Sequence, residues 1–168
     1  MEEKVQTIHP SLMRDLVSRA KESSRGRLNH NFHPSMESNL HRFLNVMCRG
    51  TYFTPHRHAR PPKAEAFLVL EGEVGFLIFD ENGKVLQRLR LSAQPVDRPH
   101  YAGMGIDIPA GFWHTLVVLS DVAVCYEVKP GPYEVTADKE FVDWAPHEGT
   151  PGTQASLAAW ERLFETES

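Results

Sequence analysis

Between Arg42 and Val128 the chain carries eight short apolar runs, punctuated by Pro, Gly, Asn and Asp, with no helical stretch between them. They are Arg42–Arg49, Thr51–His56, Glu65–Glu71, Val74–Phe79, Val85–Leu91, Gly105–Ile108, His114–Leu119 and Val122–Val128. Runs of this length, rich in Val, Leu, Ile and Phe, read as β-strands. Asn82-Gly83 between two of them is the hairpin signal. Parallel α/β folds need a crossover after each strand, so this spacing selects a sandwich or barrel. Phe67-Leu68-Val69-Leu70 is apolar on both faces. This predicts a sheet packed on another sheet or covered by flanking segments.

Helical periodicity appears only outside that region. Leu12, Met13, Leu16, Val17 and Ala20 predict an amphipathic helix from Ser11, as its N-cap, to about Ser23. Leu157, Trp160, Leu163 and Phe164 predict a second from about Thr153 to Glu165. Residues 24–40 are polar and aperiodic, and Tyr133–Gly152 is irregular, with Trp144, Pro146 and Pro151. The expected organisation is one domain: residues 1–41 as helix plus lid-like polar loop, 42–132 as barrel, and 133–168 as a segment and helix packed on the barrel. With 41% hydrophobic residues in 168, the chain can build a proper core.

Bulk properties exclude little. A formal net charge of −4 gives no general reason to bind nucleic acid or an anionic membrane. No apolar run reaches membrane-spanning length. Met1-Glu2-Glu3-Lys4 leads into a polar helix rather than a signal core, so the expected location is cytoplasmic. Cys48 and Cys125 lack CxxC spacing and sit in apolar runs, which reads as reduced, buried thiols.

The chemistry concentrates in two segments. His56 and His58 are two apart, so on a strand both leave the same face. Glu65, Phe67 and Val69 share a face of the next strand, and a carboxylate on an apolar face is costly unless paired or bound to a cation. His114 follows the Pro109-Ala-Gly111 turn and opens another apolar strand. A lone His-x-His is more often a surface pair, but in a closed barrel these four groups can converge at one end. Three imidazoles and a carboxylate then make a divalent-metal site with about two octahedral positions open. Fe(II), Mn(II), Ni(II) and Co(II) suit it, as does Zn(II) if the carboxylate detaches.

Gly50, His56, His58, Glu65 and Gly72 follow the first cupin motif, and Gly103, Pro109, Gly111 and His114 the second. The chain thus resembles the cupin superfamily, which implies a mainly β, single cupin fold: a jelly-roll β-barrel (double-stranded β-helix) with flanking N- and C-terminal helices. Six residues separate His58 from Glu65 where three or four are usual, and Val118 stands where many cupins have asparagine. Arg27–His33, Arg42–Asn45, Pro55–His58, Pro62–Glu65, Ile108–His114 and Glu127–Tyr133 also resemble the WbuC-type cupin metalloprotein family, which tolerates the long gap. That resemblance implies a metal-binding protein connected with bacterial surface-polysaccharide synthesis.

On these grounds His56, His58, Glu65 and His114 are the expected ligands of one divalent metal ion. Glu65, Lys63 and His30 are candidate proton carriers; Asn29, His33, Tyr101, Trp113 and Glu127 are candidate ligand-binding residues. Each has a plainer reading: a solvated loop for Asn29, His30 and His33, an exposed amine for Lys63, and packing for Tyr101 and Trp113. Glu127 and Lys129 are either a buried pair pointing into the barrel or a solvated edge. Arg25 and Arg27 suit an anion, though such residues are commonly just solvated. The expected ligand is a small molecule, a sugar or nucleotide sugar. The chemistry is of isomerase, epimerase or oxygenase (dioxygenase-like) type, and the alternative is a non-catalytic, metal-dependent sugar-binding or regulatory module. Exposed sheet edges lead to the expectation of a homodimer.

Overall fold

The computed structural model describes residues 4–134 and 138–165. Its elements are α1 (Pro10–Glu22), β1 (Arg27–Asn31), β2 (Leu40–Cys48), β3 (His56–Arg57), β4 (Glu65–Glu71), β5 (Glu73–Phe79) and β6 (Val85–Ser92). They continue with β7 (Tyr101–Gly103), β8 (Gly105–Ile108), β9 (Trp113–Val118), β10 (Val122–Pro130), β11 (Glu140–Phe141) and α2 (Thr153–Arg162). One sheet runs β1-β2-β10-β4-β8 and the other β11-β3-β9-β5-β6-β7. All pairings are antiparallel except β6 with β7. The two sheets face each other as the jelly roll of a cupin.

Three packed layers explain most of the doubly apolar strands, but not all of Phe67–Leu70, because Leu68 on the outer face of β4 is 40% exposed. Met47, Phe67, Val69, Phe76, Leu116 and Cys125 fill the space between the sheets. Leu16 and Ala20 of α1 cover Leu44, Val46 and Val124 on the outside of the first sheet. Leu157 of α2, with Val142, Ala145 and Phe164, covers Leu77, Phe79 and Val117 on the outside of the second. Both cysteines are free; Cys125 is buried and Cys48 partly so.

Four sequence expectations need correction. The polar stretch read as a loop contains β1, which pairs with β2 from Arg27↔Met47 to Asn31↔Phe43. As an edge strand it needs only one covered face, so Arg-Leu-Asn-His-Asn shows little apolar alternation. Of the expected strand Thr51–His56, only His56 lies in β3. Side chains take its carbonyls instead: Arg27 Nη1 donates to Tyr52 O (2.9 Å), Thr115 Oγ1 to Phe53 O (2.8 Å) and His56 Nδ1 to Thr54 O (3.0 Å). The N-cap of α1 is His9, whose Nδ1 accepts from the Ser11 amide, two residues earlier than expected. The short strands β7 and β11 carry too few residues to leave a pattern.

Gly72 links β4 to β5, and so one sheet to the other. Its φ is +77°, and a Cβ there would lie 2.1 Å from the Val122 carbonyl oxygen. Gly72→Ala is therefore expected to cost about 2–3 kcal/mol, read as a lower urea midpoint at unchanged slope.

Candidate metal centre

His56, His58, Glu65 and His114 come together, all buried, with their ligand atoms within 4.8 Å of one another. Each sheet contributes. Glu65 begins β4 of the first sheet, while His56 of β3 sits directly opposite His114 of β9 in the second. The second motif supports the first, because the Gly111 amide donates to the His58 carbonyl (3.1 Å). The long gap between His58 and Glu65 is a tight excursion, closed by the Ala59↔Pro62 bridge, that turns Lys63 inward.

Backbone carbonyls fix the imidazole tautomers. His56 Nδ1 faces Thr54 O (3.0 Å), His114 Nδ1 faces Phe112 O (2.9 Å) and His58 Nδ1 makes a short bond to Asp138 O. A carbonyl only accepts, so each Nδ1 carries a proton, and in the neutral imidazole Nε2 keeps its lone pair. These are the outer hydrogen bonds that orient histidines toward a metal. His114 Nε2 lies 2.6 Å from Glu65 Oε1, and His58 Nε2 lies 3.4 Å from Glu65 Oε2. Yet His58 Nε2 and Glu65 Oε1 have no hydrogen-bond partner among the described residues. With both imidazoles neutral and protonated at Nδ1, these close approaches bring acceptor to acceptor, and such contacts repel unless a cation lies between them.

The carboxylate form of Glu65 needs donors or positive charge beside it: burial would raise its carboxyl, and hydrogen bonds from the His114 and His58 imidazoles, where these are protonated, hold it well below the ordinary carboxylate range. Burial, with Lys139 and His114 nearby, pushes His56 well below its usual value, so this imidazole is neutral. One proton cannot serve three lone pairs and a carboxylate together; one divalent ion can. Three imidazoles favour a transition metal over calcium or magnesium.

Beside the ligand cluster is an inner cavity of about 40 Å³, bounded by His56, Glu65, His114, Asn45, Glu127 and Lys139. A polar outer cleft of about 480 Å³ adjoins it, walled by Asn29, His33, Lys129 and Tyr133. Asn45, Phe53, Glu127 and Lys139 line both. A larger cavity, about 990 Å³, runs past Lys4–Gln6 and Phe32 and contains no candidate metal ligand, so its size does not make it the site of chemistry.

A buried polar network backs the site. Lys63 Nζ donates to Asp138 Oδ1 (2.7 Å) and Pro132 O (2.6 Å), and Lys129 Nζ to Asp138 Oδ2 (3.2 Å). Asn45 Nδ2 donates to Glu127 Oε2 (3.2 Å), while Lys129 Nζ lies 3.9 Å from Glu127 Oε1. Burial and the nearby Glu65 carboxylate push the Glu127 carboxyl up to about 7. Burial, with Lys129 close by, lowers the Lys139 ammonium from its ordinary value.

The other sequence candidates fall as follows. Asn29, His33 and Glu127 line the outer cleft. His30 does not; its ring meets Phe32 edge-on at 5.0 Å. Lys63 is held behind the ligand cluster by Asp138. Trp113 packs with the outer layer of the second sheet and donates from Nε1 to Glu81 (2.9 Å). Tyr101 is exposed on β7 and lines neither cavity. Arg25 and Arg27 are at the cleft but grip Glu148, at 2.9 and 2.6 Å.

Three residues escaped the sequence reading. Asn45 was readable as a polar residue inside the apolar run Phe43-Leu-Asn-Val-Met. Asp138 and Lys139 carry no local signal, since they act through where an irregular segment returns to the barrel.

Comparison with known proteins adds context. Residues 8–91 match the family model described as Domain of unknown function (DUF6016). No curated protein matches the sequence. Among solved structures, the chain is similar to the capsular polysaccharide assembling protein CapF from Staphylococcus aureus, at 19% identity and a TM-score of 0.53. That alignment covers 69% of this chain and 34% of CapF, so the chain spans about a third of that protein's length. It is also similar to protein SO0799 from Shewanella oneidensis, at 11% identity and a TM-score of 0.55, covering 92% of this chain and 97% of that one. At these identities the likeness is one of fold. Among the described residues no helix is long and apolar enough to cross a membrane.

Proposed function

The chain belongs to the DUF6016 family, and we propose that it is a metal-dependent cupin acting on a small polar, sugar-type molecule in the synthesis of a bacterial surface polysaccharide. The observation that carries this reading is the convergence of three Nε2 lone pairs and the Glu65 carboxylate beside a cleft with polar walls. The polysaccharide connection is supported by the resemblance of Pro55–His58, Pro62–Glu65 and Ile108–His114 to WbuC-type cupins. CapF, similar in fold, is itself named for capsular polysaccharide assembly.

His56, His58, Glu65 and His114 would hold the ion, which when bound supplies Lewis-acid polarisation of a carbonyl or hydroxyl oxygen. The chain's own groups do the rest. The apolar walls of the inner cavity, Phe53, Phe67, Phe76 and Leu116, keep bulk water away. Glu127, with its carboxyl near neutrality, is suited to take up or release a proton on the ligand. Asn45 fixes that carboxyl by its hydrogen bond (3.2 Å).

Protein purified without added chelator is expected to carry close to one transition-metal equivalent per chain by elemental analysis. Loss of that metal in the His56→Ala/His114→Ala double variant identifies the site, and equal metal in both proteins refutes the reading. Incubation of the loaded protein with a panel of sugars and nucleotide sugars, followed by mass spectrometry and NMR, then reads turnover. Saturable binding without turnover would assign the cleft to a regulatory module instead.

A further inference from the structure

The polar groups around the inner cavity do not all find partners. Asn45 Nδ2 is committed to Glu127, which leaves Asn45 Oδ1 buried with no hydrogen bond. This orientation serves the ionised Glu127 carboxylate, whereas a flipped amide would serve only its protonated form. Lys139 lines both the inner cavity and the outer cleft. Lys63 and Lys129 share Asp138, but Lys139 enters no hydrogen bond or ion pair with the described residues. The junction between the chambers therefore presents one free cationic donor and one free neutral acceptor.

Charge points the same way. Around the ligand cluster the ammonium groups of Lys63, Lys129 and Lys139 face, among the described residues, the carboxylates of Asp138 and Glu127, besides Glu65 itself. Adding a divalent ion leaves an excess of positive charge in a buried place, which is costly unless an anion enters. Size narrows the choice further. The inner cavity, about 40 Å³, takes a terminal group or a water or two rather than a sugar ring, while the outer cleft of about 480 Å³ takes the body of a small ligand.

We propose that the cleft binds a hydroxy-carboxylate of the sugar-acid type. Its carboxylate pairs with the Lys139 ammonium, and a neighbouring hydroxyl donates to Asn45 Oδ1. A neutral sugar would leave Lys139 unpaired, and free inorganic phosphate in its fully ionised form offers Asn45 Oδ1 no proton. His33 Nε2, buried at the cleft wall and also without a partner, is available to further hydroxyls. This proposal rests on the reading of the site as a metal-bearing cleft and names the class of molecule that it takes.

The test is calorimetric titration of D-glycerate, propionate and glycerol onto the cobalt-loaded full chain and onto the metal-free chain, after cobalt stoichiometry has been measured. Glycerate is expected to bind at least about tenfold more tightly than propionate, which lacks the hydroxyl, or glycerol, which lacks the charge. Lys139→Gln should weaken glycerate and propionate by about tenfold, leave glycerol and cobalt uptake unchanged, and be largely restored by Lys139→Arg. Glycerol binding as tightly as glycerate, or a Lys139→Gln variant with wild-type glycerate affinity, overturns the proposal. Failure to take up cobalt would instead refute the metal reading. The metal-free titration then decides this inference alone: dependence of glycerate binding on Lys139 upholds it, and independence overturns it.

Discussion

His114→Ala is expected to lower transition-metal affinity by more than about a hundredfold, because even the outer partners of metal-bound histidines are worth ten- to a hundredfold. Competition with a chromogenic chelator reads this directly. His114 is chosen because it stands opposite His56 across the β3–β9 pair and 2.6 Å from Glu65 Oε1, so it joins the ligands of both sheets. Its loss should leave the metal-free fold less affected than the metal-loaded one. Without His114, one of the close acceptor contacts on Glu65 disappears, which compensates the apo-protein for part of the lost packing. The stabilisation that metal confers on the wild type, about 2.7 kcal/mol at a hundredfold excess over Kd, should nearly vanish in the variant at the same metal concentration. A variant that retains wild-type affinity would remove His114 from the ligand set.

The residues of the candidate metal site were legible because their determinants are local. His56 and His58 are fixed on one face by their spacing, and His114 is delivered by a Pro-Ala-Gly turn whose glycine has a φ of +89°. Glu65 was harder to assign. Six intervening residues hide its partnership with His58, and only the folded excursion that turns Lys63 inward explains them. The jelly roll was legible for a similar reason, since apolar runs without intervening helices leave few alternatives.

What resisted the sequence depends on distant partners. Lys63 looked like a solvent-facing amine near a motif, but its environment is set by Asp138, 75 residues away. Arg25 and Arg27 looked available for an anion, and Glu148 occupies both. Trp113 flanks His114 in sequence, but alternation along β9 sends it to the opposite face, under the Arg57 guanidinium. The strand Thr51–His56 failed because the side chains of Arg27, Thr115 and His56 replace its ladder partners, which no local pattern foretells.

The same long-range dependence makes Asp138 the most exposed point of the scaffold. Its carboxylate, 3% accessible, lies between the ammonium groups of Lys63 (4%) and Lys129 (7%), and its backbone carbonyl accepts from His58 Nδ1. Asp138→Ala would keep that carbonyl but leave two buried cations sharing the Pro132 carbonyl and a distant Glu127. Removing one partner of a buried ion pair typically costs about 3–5 kcal/mol, because the remaining charge has lost both water and counter-charge. Urea unfolding of the metal-free variant is expected to show a loss of that order. Asp138→Asn, which keeps an acceptor but not the charge, should lose nearly as much. If the cost comes from unpaired ammonium groups, then Lys63→Met in the Asp138→Ala background must recover part of it, although Lys63→Met alone destabilises. A loss below about 1 kcal/mol for Asp138→Ala, or simple additivity with Lys63→Met, would show that the network does not hold Asp138 against the site.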